Sequence, residues 1–431
     1  MHINRVIRMQ AKRFKQISPQ VMKVFGLCVT LLWVANVHAQ RTSTTVIGQD
    51  AAAQDPDTFK IYAGYALQTD SNLFRLPDGA DTAAFIGRSS GSEQIGVTTL
   101  GLRLNKPYSL QRFEIDANMV DYRYQNFNYL GFTATNLAAA WRWSVTPRLR
   151  GNVIYARTEA PTSYLDYQGF QQRNQSTDTL RRFDAGYDID GTWRVLAGVA
   201  QAEQVNLLPV VALGDTSNAS ADVGLQYLFG SGSSVTYALK SADGKFLNRP
   251  LQQATLLDDG YRQIDHEARF HWVIKGKTTA DATAAFIART HPHFAQRDFN
   301  GFNTSVNVNL GLTGKSALGA SWVRELASYQ TQNSNYSQTD RISLEPVWQV
   351  STKVAVRLRY ELAKRSFFGS PLGLAALGRI DTTQDASIAL DWQPYERVSL
   401  GVSLQNSRRQ SNLAGLDYKA NLAMLLAKVS Y

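Results

Sequence analysis

The chain has 431 residues, 44% hydrophobic and 19% charged, with 45 Lys and Arg against 35 Asp and Glu and a single cysteine. That composition excludes a disulfide-stapled scaffold, and no stretch beyond the N-terminus has the run of about 20 apolar residues that a membrane-spanning helix needs. The formal net charge of +10 would suggest an acidic partner, but its distribution along the chain removes most of that signal.

Residues 1 to 23 carry Arg5, Arg8, Lys12, Arg13, Lys15 and Lys23 and no acid, and the apolar stretch VFGLCVTLLWVAN follows from Val24 to Asn36. A charged segment, an apolar segment and then Val37-His38-Ala39 have the order of a secretory signal peptide, with cleavage expected after Ala39. Cys28 would leave with it, and without a small residue before that cysteine lipidation is not expected. Six basic residues go too, leaving 39 Lys and Arg against 35 Asp and Glu, a net charge of about +4. Residues 40–57 read as a polar periplasmic segment.

From Phe59 onward one unit repeats: about ten residues of alternating hydrophobicity, a short turn, a second such segment, then a longer polar loop. It is clearest at FNTSVNVNLGLTGKSALGASW, where Phe302, Thr304, Val306, Val308, Leu310 and Leu312 share one face and Asn303, Ser305, Asn307 and Asn309 the other. Short turns are expected at 105–109, 144–148, 190–191, 230–233, 275–277, 313–315, 350–353 and 393–397. Nine longer connections lie between the pairs, among them 68–93, 157–179, 201–218, 241–260 and 364–382. With the first strand near Phe59 and the last near Tyr431, the count is eighteen. Even strand number, short turns at one rim and long loops at the other predict an all-β transmembrane antiparallel outer-membrane barrel over 58–431, of 16 to 18 strands.

Lipid requires the outward side chains to be apolar and the sheet to close, so the polar alternates must line a wet lumen. Inward candidates are Tyr62, Arg103, Glu114, Asp116, Arg142, Arg182, Asp184, Arg357 and Arg359. Each is a candidate sugar contact, and each is better explained, taken singly, as a wall residue that solvates the lumen or pairs across it, since porin interiors are commonly polar. Trp143, Trp193, Trp272, Trp348 and Trp392 fall within five residues of a short turn, where an interfacial aromatic girdle belongs. The chain ends NLAMLLAKVSY: Ala423, Leu425, Ala427, Val429 and Tyr431 alternate as a lipid-facing strand, and Val429 with the terminal Tyr431 resembles the signal that barrels show to their insertion machinery. Leu422, Met424 and Leu426 make the opposite face apolar as well, which predicts either packing against something inside the lumen or a register one residue off.

No phosphate loop, nucleophile elbow or zinc-helix motif is present. His291 and His293 could hold a metal, but no third ligand stands at recognisable spacing. Asp265, His266 and Glu267 look like a catalytic cluster only on paper, since in a strand His266 points away from its neighbours. No cofactor, no metal and no enzymatic activity are expected, and the interleaved charges do not predict nucleic-acid binding.

The stretch YAGYALQTDSNLFRLPDG (62–79), with Asp70, Asn72, Leu73, Phe74, Arg75 and Leu76, resembles the start of EpsL-type outer-membrane proteins of exosortase-linked exopolysaccharide operons, within the wider group of β-barrel porins. The resemblance implies a role in exopolysaccharide biosynthesis and export as a channel or part of an export complex, with polysaccharide and other export proteins as partners beside outer-membrane lipid and the insertion machinery. The alternatives are a general diffusion porin and a barrel enzyme or assembly scaffold.

Overall fold

The computed structural model describes residues 58–275, 278–329, 334–369, 371 and 378–431. The expected signal peptide and the 40–57 segment lie outside them. Eighteen antiparallel strands follow one another: β1 (Thr58–Asp70), β2 (Glu93–Tyr108), β3 (Gln111–Tyr124), β4 (Phe132–Ser144), β5 (Leu149–Pro161) and β6 (Gln175–Asp188). The meander continues through β7 (Trp193–Asn206), β8 (Thr216–Leu228), β9 (Ser234–Phe246), β10 (Gly260–Lys275), β11 (Thr278–Thr290) and β12 (Phe299–Gly311). It ends with β13 (Ser316–Ser328), β14 (Tyr336–Gln349), β15 (Val354–Phe368), β16 (Ile380–Tyr395), β17 (Val398–Ser411) and β18 (Tyr418–Ser430). Each strand pairs with its neighbours in sequence, and β1 pairs with β18, so the sheet closes without an edge. Closure leaves every strand with a partner on both sides, which is what a sheet in lipid requires.

Among the described residues, all eight short connections gather at one rim with Thr58 and Tyr431, and the nine long ones at the other. Two turns sit later than expected. Asn105 to Tyr108 belong to β2 and the reversal falls at Ser109, whose φ is +54°; likewise β16 runs on to Tyr395. The strands also reach further into the long connections than the apolar pattern indicated, so the loops proper are 71–92, 162–174, 207–215 and 247–259, and β15 runs to Phe368 with β16 starting at Ile380. The reason is geometric: a tilted strand crosses the bilayer in about 9–11 residues, whereas these have 13 to 16, and the surplus turns polar above the lipid while the ladder continues.

The two faces differ as the solvent demands. On β1 the outward Phe59, Ile61 and Tyr65 are exposed, while Tyr62, Ala66, Gln68 and Asp70 are buried. The inward direction is fixed by the 162–174 loop, which leaves β5 and β6 yet meets Arg365 on β15 and Arg409 on β17; such contacts are possible only through the interior. The register places Trp143, Trp193, Trp272, Trp348 and Trp392 outward beside the short turns, and Trp143 stacks on Phe183 with ring centroids 5.8 Å apart.

The barrel has a core because two long loops fold inward. Leu73, Phe74, Leu76 and Ile86 of the 71–92 loop, which includes helix α1 (Thr82–Ile86), pack on Ala66, Ile95, Val97, Val120 and Tyr122 of the inner wall. Phe74 is fully buried, edge-on to Phe127 at 4.8 Å and to Tyr164 of the 162–174 loop at 4.9 Å. Burying one such side chain contributes roughly 1.5–3 kcal/mol. Met424 and Leu426 pack against this cluster, and Leu422 joins Leu165, Tyr418 and Ala420 in a second. The second apolar face of β18 thus covers the loops, and its register is the one in which Leu425 and Val429 face lipid.

Candidate functional site

The candidate site is the inner wall together with the two loops that narrow it. The register puts all nine sequence-derived candidates on the inward face, and each has a polar partner on its own strand or on one no more than two strands away. Tyr62 donates its hydroxyl to Asp116 at 2.8 Å, and Arg103 donates to the same carboxylate at 2.8 Å. Arg142 and Arg112 both reach Glu114 at 2.9 Å. Arg182 bonds Asp222 at 2.9 Å and lies 3.4 Å from Asp184, which also accepts from Asn152. Arg357 meets Asp391 at 2.6 Å; Arg359 meets Glu361 at 2.7 Å and Glu345 at 3.4 Å. These are pairs of partly exposed groups within one strand or between strands, where opposite charges contribute roughly 0.2–1 kcal/mol each. Their main effect is to make a wall that is highly polar yet locally neutral.

The narrowing is built from residues that alternation alone did not single out. Asp166, at the tip of the 162–174 loop, accepts two hydrogen bonds from Arg365 at 3.1 and 3.2 Å and lies 3.9 Å from Arg379, which is itself clamped to Asp381 at 2.7 Å. Beside it Arg409 donates to the Leu165 carbonyl at 2.7 Å and the Leu416 carbonyl at 2.6 Å. Burial alone would raise the Asp166 carboxyl, but Arg365, Arg379 and Arg409 outweigh it and hold it below the ordinary carboxylate range. Arg365 and Arg409 were within reach of the sequence, since they continue the inward alternation of β15 and β17. Asp166 carried no signal, because a loop residue has no periodicity to betray its direction.

The motif around Asp70 fastens the other loop. Asp70 accepts the Asn72 amide at 2.9 Å and both carboxylate oxygens take Arg75 Nη1, at 2.9 and 3.0 Å. Asn72 caps the turn, accepting from the Leu76 amide and donating to the Leu76 and Lys419 carbonyls at 2.9 to 3.0 Å. Arg75 has a φ of +55°, a left-handed conformation that costs a non-glycine residue about 1–2 kcal/mol and is held by this ion pair. A small cavity of about 60 Å³ remains between the loops and the β1 to β5 wall, lined by Gln68, Tyr122, Tyr124, Phe132, Tyr164 and Arg173.

The remaining candidate clusters separate. His266 turns outward to the Tyr237 hydroxyl, 2.8 Å from its Nδ1, while Asp265 and Glu267 are buried on the inner wall. His291 turns to Asp298. His293 finds the third group that the spacing lacked: Asp258 and Asp259 of the preceding long loop approach it, with one ligand atom from each of the three residues within 4.8 Å of the others. Asp258 is, however, already engaged by the backbone amides of His293 and Phe294 at 2.9 and 3.1 Å and by His293 Nδ1 at 3.1 Å, a clamp between two loops that is complete without an ion.

No family model and no curated protein matches the chain. Among solved structures it is similar to a BenF-like porin from Pseudomonas fluorescens Pf-5, with a TM-score of 0.51 at 11% identity over 87% of this chain and 100% of that one. OccK9 (OpdG) of Pseudomonas aeruginosa gives 0.50 at 13% identity over 86% and 98%. At such identity the likeness is one of fold: a closed antiparallel barrel of the outer-membrane porin type.

Proposed function

We propose that the chain is an outer-membrane diffusion channel for small polar solutes, with a bore set by the 71–92 and 162–174 loops. The observation that carries this reading is the 162–174 loop reaching across the interior to Arg365 and Arg409 on the far wall. Eighteen strands enclose an aqueous lumen, and a loop pinned across it makes a size filter. The paired charges of the wall keep the remaining passage hydrated without a strong preference for either sign. The similar Pseudomonas fluorescens barrel is itself named a porin, which agrees with this.

Export of a polysaccharide, the role implied by the resemblance at 62–79, gains no support from the comparisons. The residues that carry the resemblance hold the fold together. Asp70, Asn72 and Arg75 fasten a loop that narrows the lumen, which works against passage of a thick polymer. Proteoliposomes containing the purified chain should swell in neutral mono- and disaccharides and progressively less in larger oligosaccharides. No swelling in any sugar, together with loss of secreted polysaccharide in a deletion strain, would replace the porin reading with export.

A further inference from the structure

The outer surface of the barrel carries a layered patch over β15 to β18 and β1 that the channel does not use. Outward residues rise from the tryptophan girdle through an apolar band: Leu400, Val402 and Leu404 on β17, Val429, Ala427, Leu425 and Ala423 on β18. Directly above, Asn406 stands opposite Asn421 and donates to it at 2.7 Å. The next level holds Arg408 opposite Lys419. Lys364, exposed, follows one level higher on β15. Below the basic level lies an open groove of about 910 Å³, with Ile388, Leu404 and Ala423 in its floor and Thr69, Gln94 and Asn421 along its edge.

Two like charges directly opposite one another across a strand pair are destabilising. Lys419 is balanced by Asp78 at 2.6 Å on the exposed surface, whereas Arg408 stands between Lys419 and Gln384 and donates only to the neutral Gln384 amide, at 3.0 Å. On the same rim Arg123 is balanced by Asp121 and Arg262 by Asp243, as Lys419 is by Asp78, so among the described residues Arg408 is the member of the facing pair that lacks an acid. An anion at this level would meet the Arg408 charge and share Lys419 with Asp78, and the apolar groove immediately beneath calls for that anion to carry an acyl chain.

We propose that this face binds a phosphorylated, acylated sugar lipid of the outer leaflet. The phosphate sits between Arg408 and Lys419, with Lys364 adding to the local positive potential. The Asn406 and Asn421 amides meet the sugar, and an acyl chain lies in the groove over Leu404, Ile388 and Ala423. This requires the barrel to sit in the outer membrane but is independent of what the lumen conducts.

The test is native mass spectrometry of the full-length protein in detergent, titrated separately with bisphosphorylated lipid A, dephosphorylated lipid A and inorganic phosphate. Heat-modifiable migration and unaltered ion conductance serve as controls for folding. The bisphosphorylated lipid should be retained by the wild type. Half-saturation should rise about tenfold or more in the Arg408→Gln, Lys419→Gln double variant, as expected for two basic residues at an anionic lipid surface. Arg408→Gln alone, which leaves the Lys419–Asp78 contact in place, should lose part of that affinity, and Leu404→Trp should weaken binding by filling the groove without touching a charge. Equal retention by wild type and double variant overturns the proposal, as does equal binding of the dephosphorylated lipid. Displacement of the lipid by equimolar inorganic phosphate would reduce the site to one for free phosphate. A lipid-free dimer abolished by the double variant would assign the face to a second copy, and each of these also overturns the proposal.

Discussion

The ring of Tyr62 on β1 lies against Gly101 on β2, so close that a Cβ at position 101 would collide with the ring Cζ and hydroxyl. The glycine is thus a slot through which Tyr62 reaches Asp116 on β3, two strands away. Gly101→Val should expel the ring and break that bond, at a cost of about 1–3 kcal/mol for overpacking. The measurement is the temperature at which the folded band is lost on a gel. In a Tyr62→Ala background the same substitution should cost much less, since the clash and the bond are already gone.

Asp166 holds the 162–174 loop against three arginines. Asp166→Asn removes the only carboxylate at the loop tip, and losing charge-assisted hydrogen bonds between partly buried groups costs roughly 1.5–3 kcal/mol. The loop should become open to limited proteolysis between residues 162 and 174 while the barrel keeps its resistance. A variant as protected as the wild type would show that Leu165 and the apolar cluster suffice.

The clamp between the 247–259 and 291–298 loops has a pH window. The hydrogen bond to Asp258 raises the His293 imidazole above its usual range, while burial pushes Asp258 up but its bonds from His293, Gly260 and Phe294 bring it below its own. A raised histidine contributes below its unfolded value of about 6.5 and loses that contribution as pH rises through the folded value; a depressed aspartate contributes above about 3.9 and loses it as pH falls through its folded value. The clamp should therefore be firmest between about pH 4 and 6.5. Amide protection at His293 and Phe294, corrected for intrinsic exchange, should peak in that window and vanish in Asp258→Asn.

Tyr431 closes the seam of the barrel. Its amide donates to the Ile61 carbonyl at 2.8 Å and its carbonyl accepts from the Ile61 amide at 2.9 Å, while Arg397 lies 4.4 Å over its exposed ring. Removing Tyr431 should lower the amount of protein recovered in the outer membrane, and Tyr431→Phe should restore it, because the ring and backbone are retained. Recovery at wild-type levels without the residue would remove it from the insertion signal.

The barrel was legible in the sequence because a strand with one face in lipid and one in water must alternate, and a single misplaced residue would invert every side chain after it. That regularity identified eighteen strands and the outward tryptophans, and it placed Arg103 and Asp116 on one face. Turn positions slipped by a few residues where the ladder outlasts the alternation, as at Asn105 to Tyr108. The inward loops were hidden, since the directions of Phe74 and Asp166 depend on contacts with strands far away in the chain. Their trace in the sequence was indirect: Leu422, Met424 and Leu426 are apolar where a wet lumen should make them polar, and the loops they cover are the reason.

Whether these loops set the bore of a diffusion channel is decided by single-channel conductance in planar bilayers. The wild type is compared with a chain in which residues 163–173 are replaced by a short Gly-Ser link. The wild type should conduct steadily, and the shortened chain should show a clearly larger conductance and admit larger sugars. A wild type that does not conduct, or a shortened chain whose conductance is unchanged, would refute the loop filter.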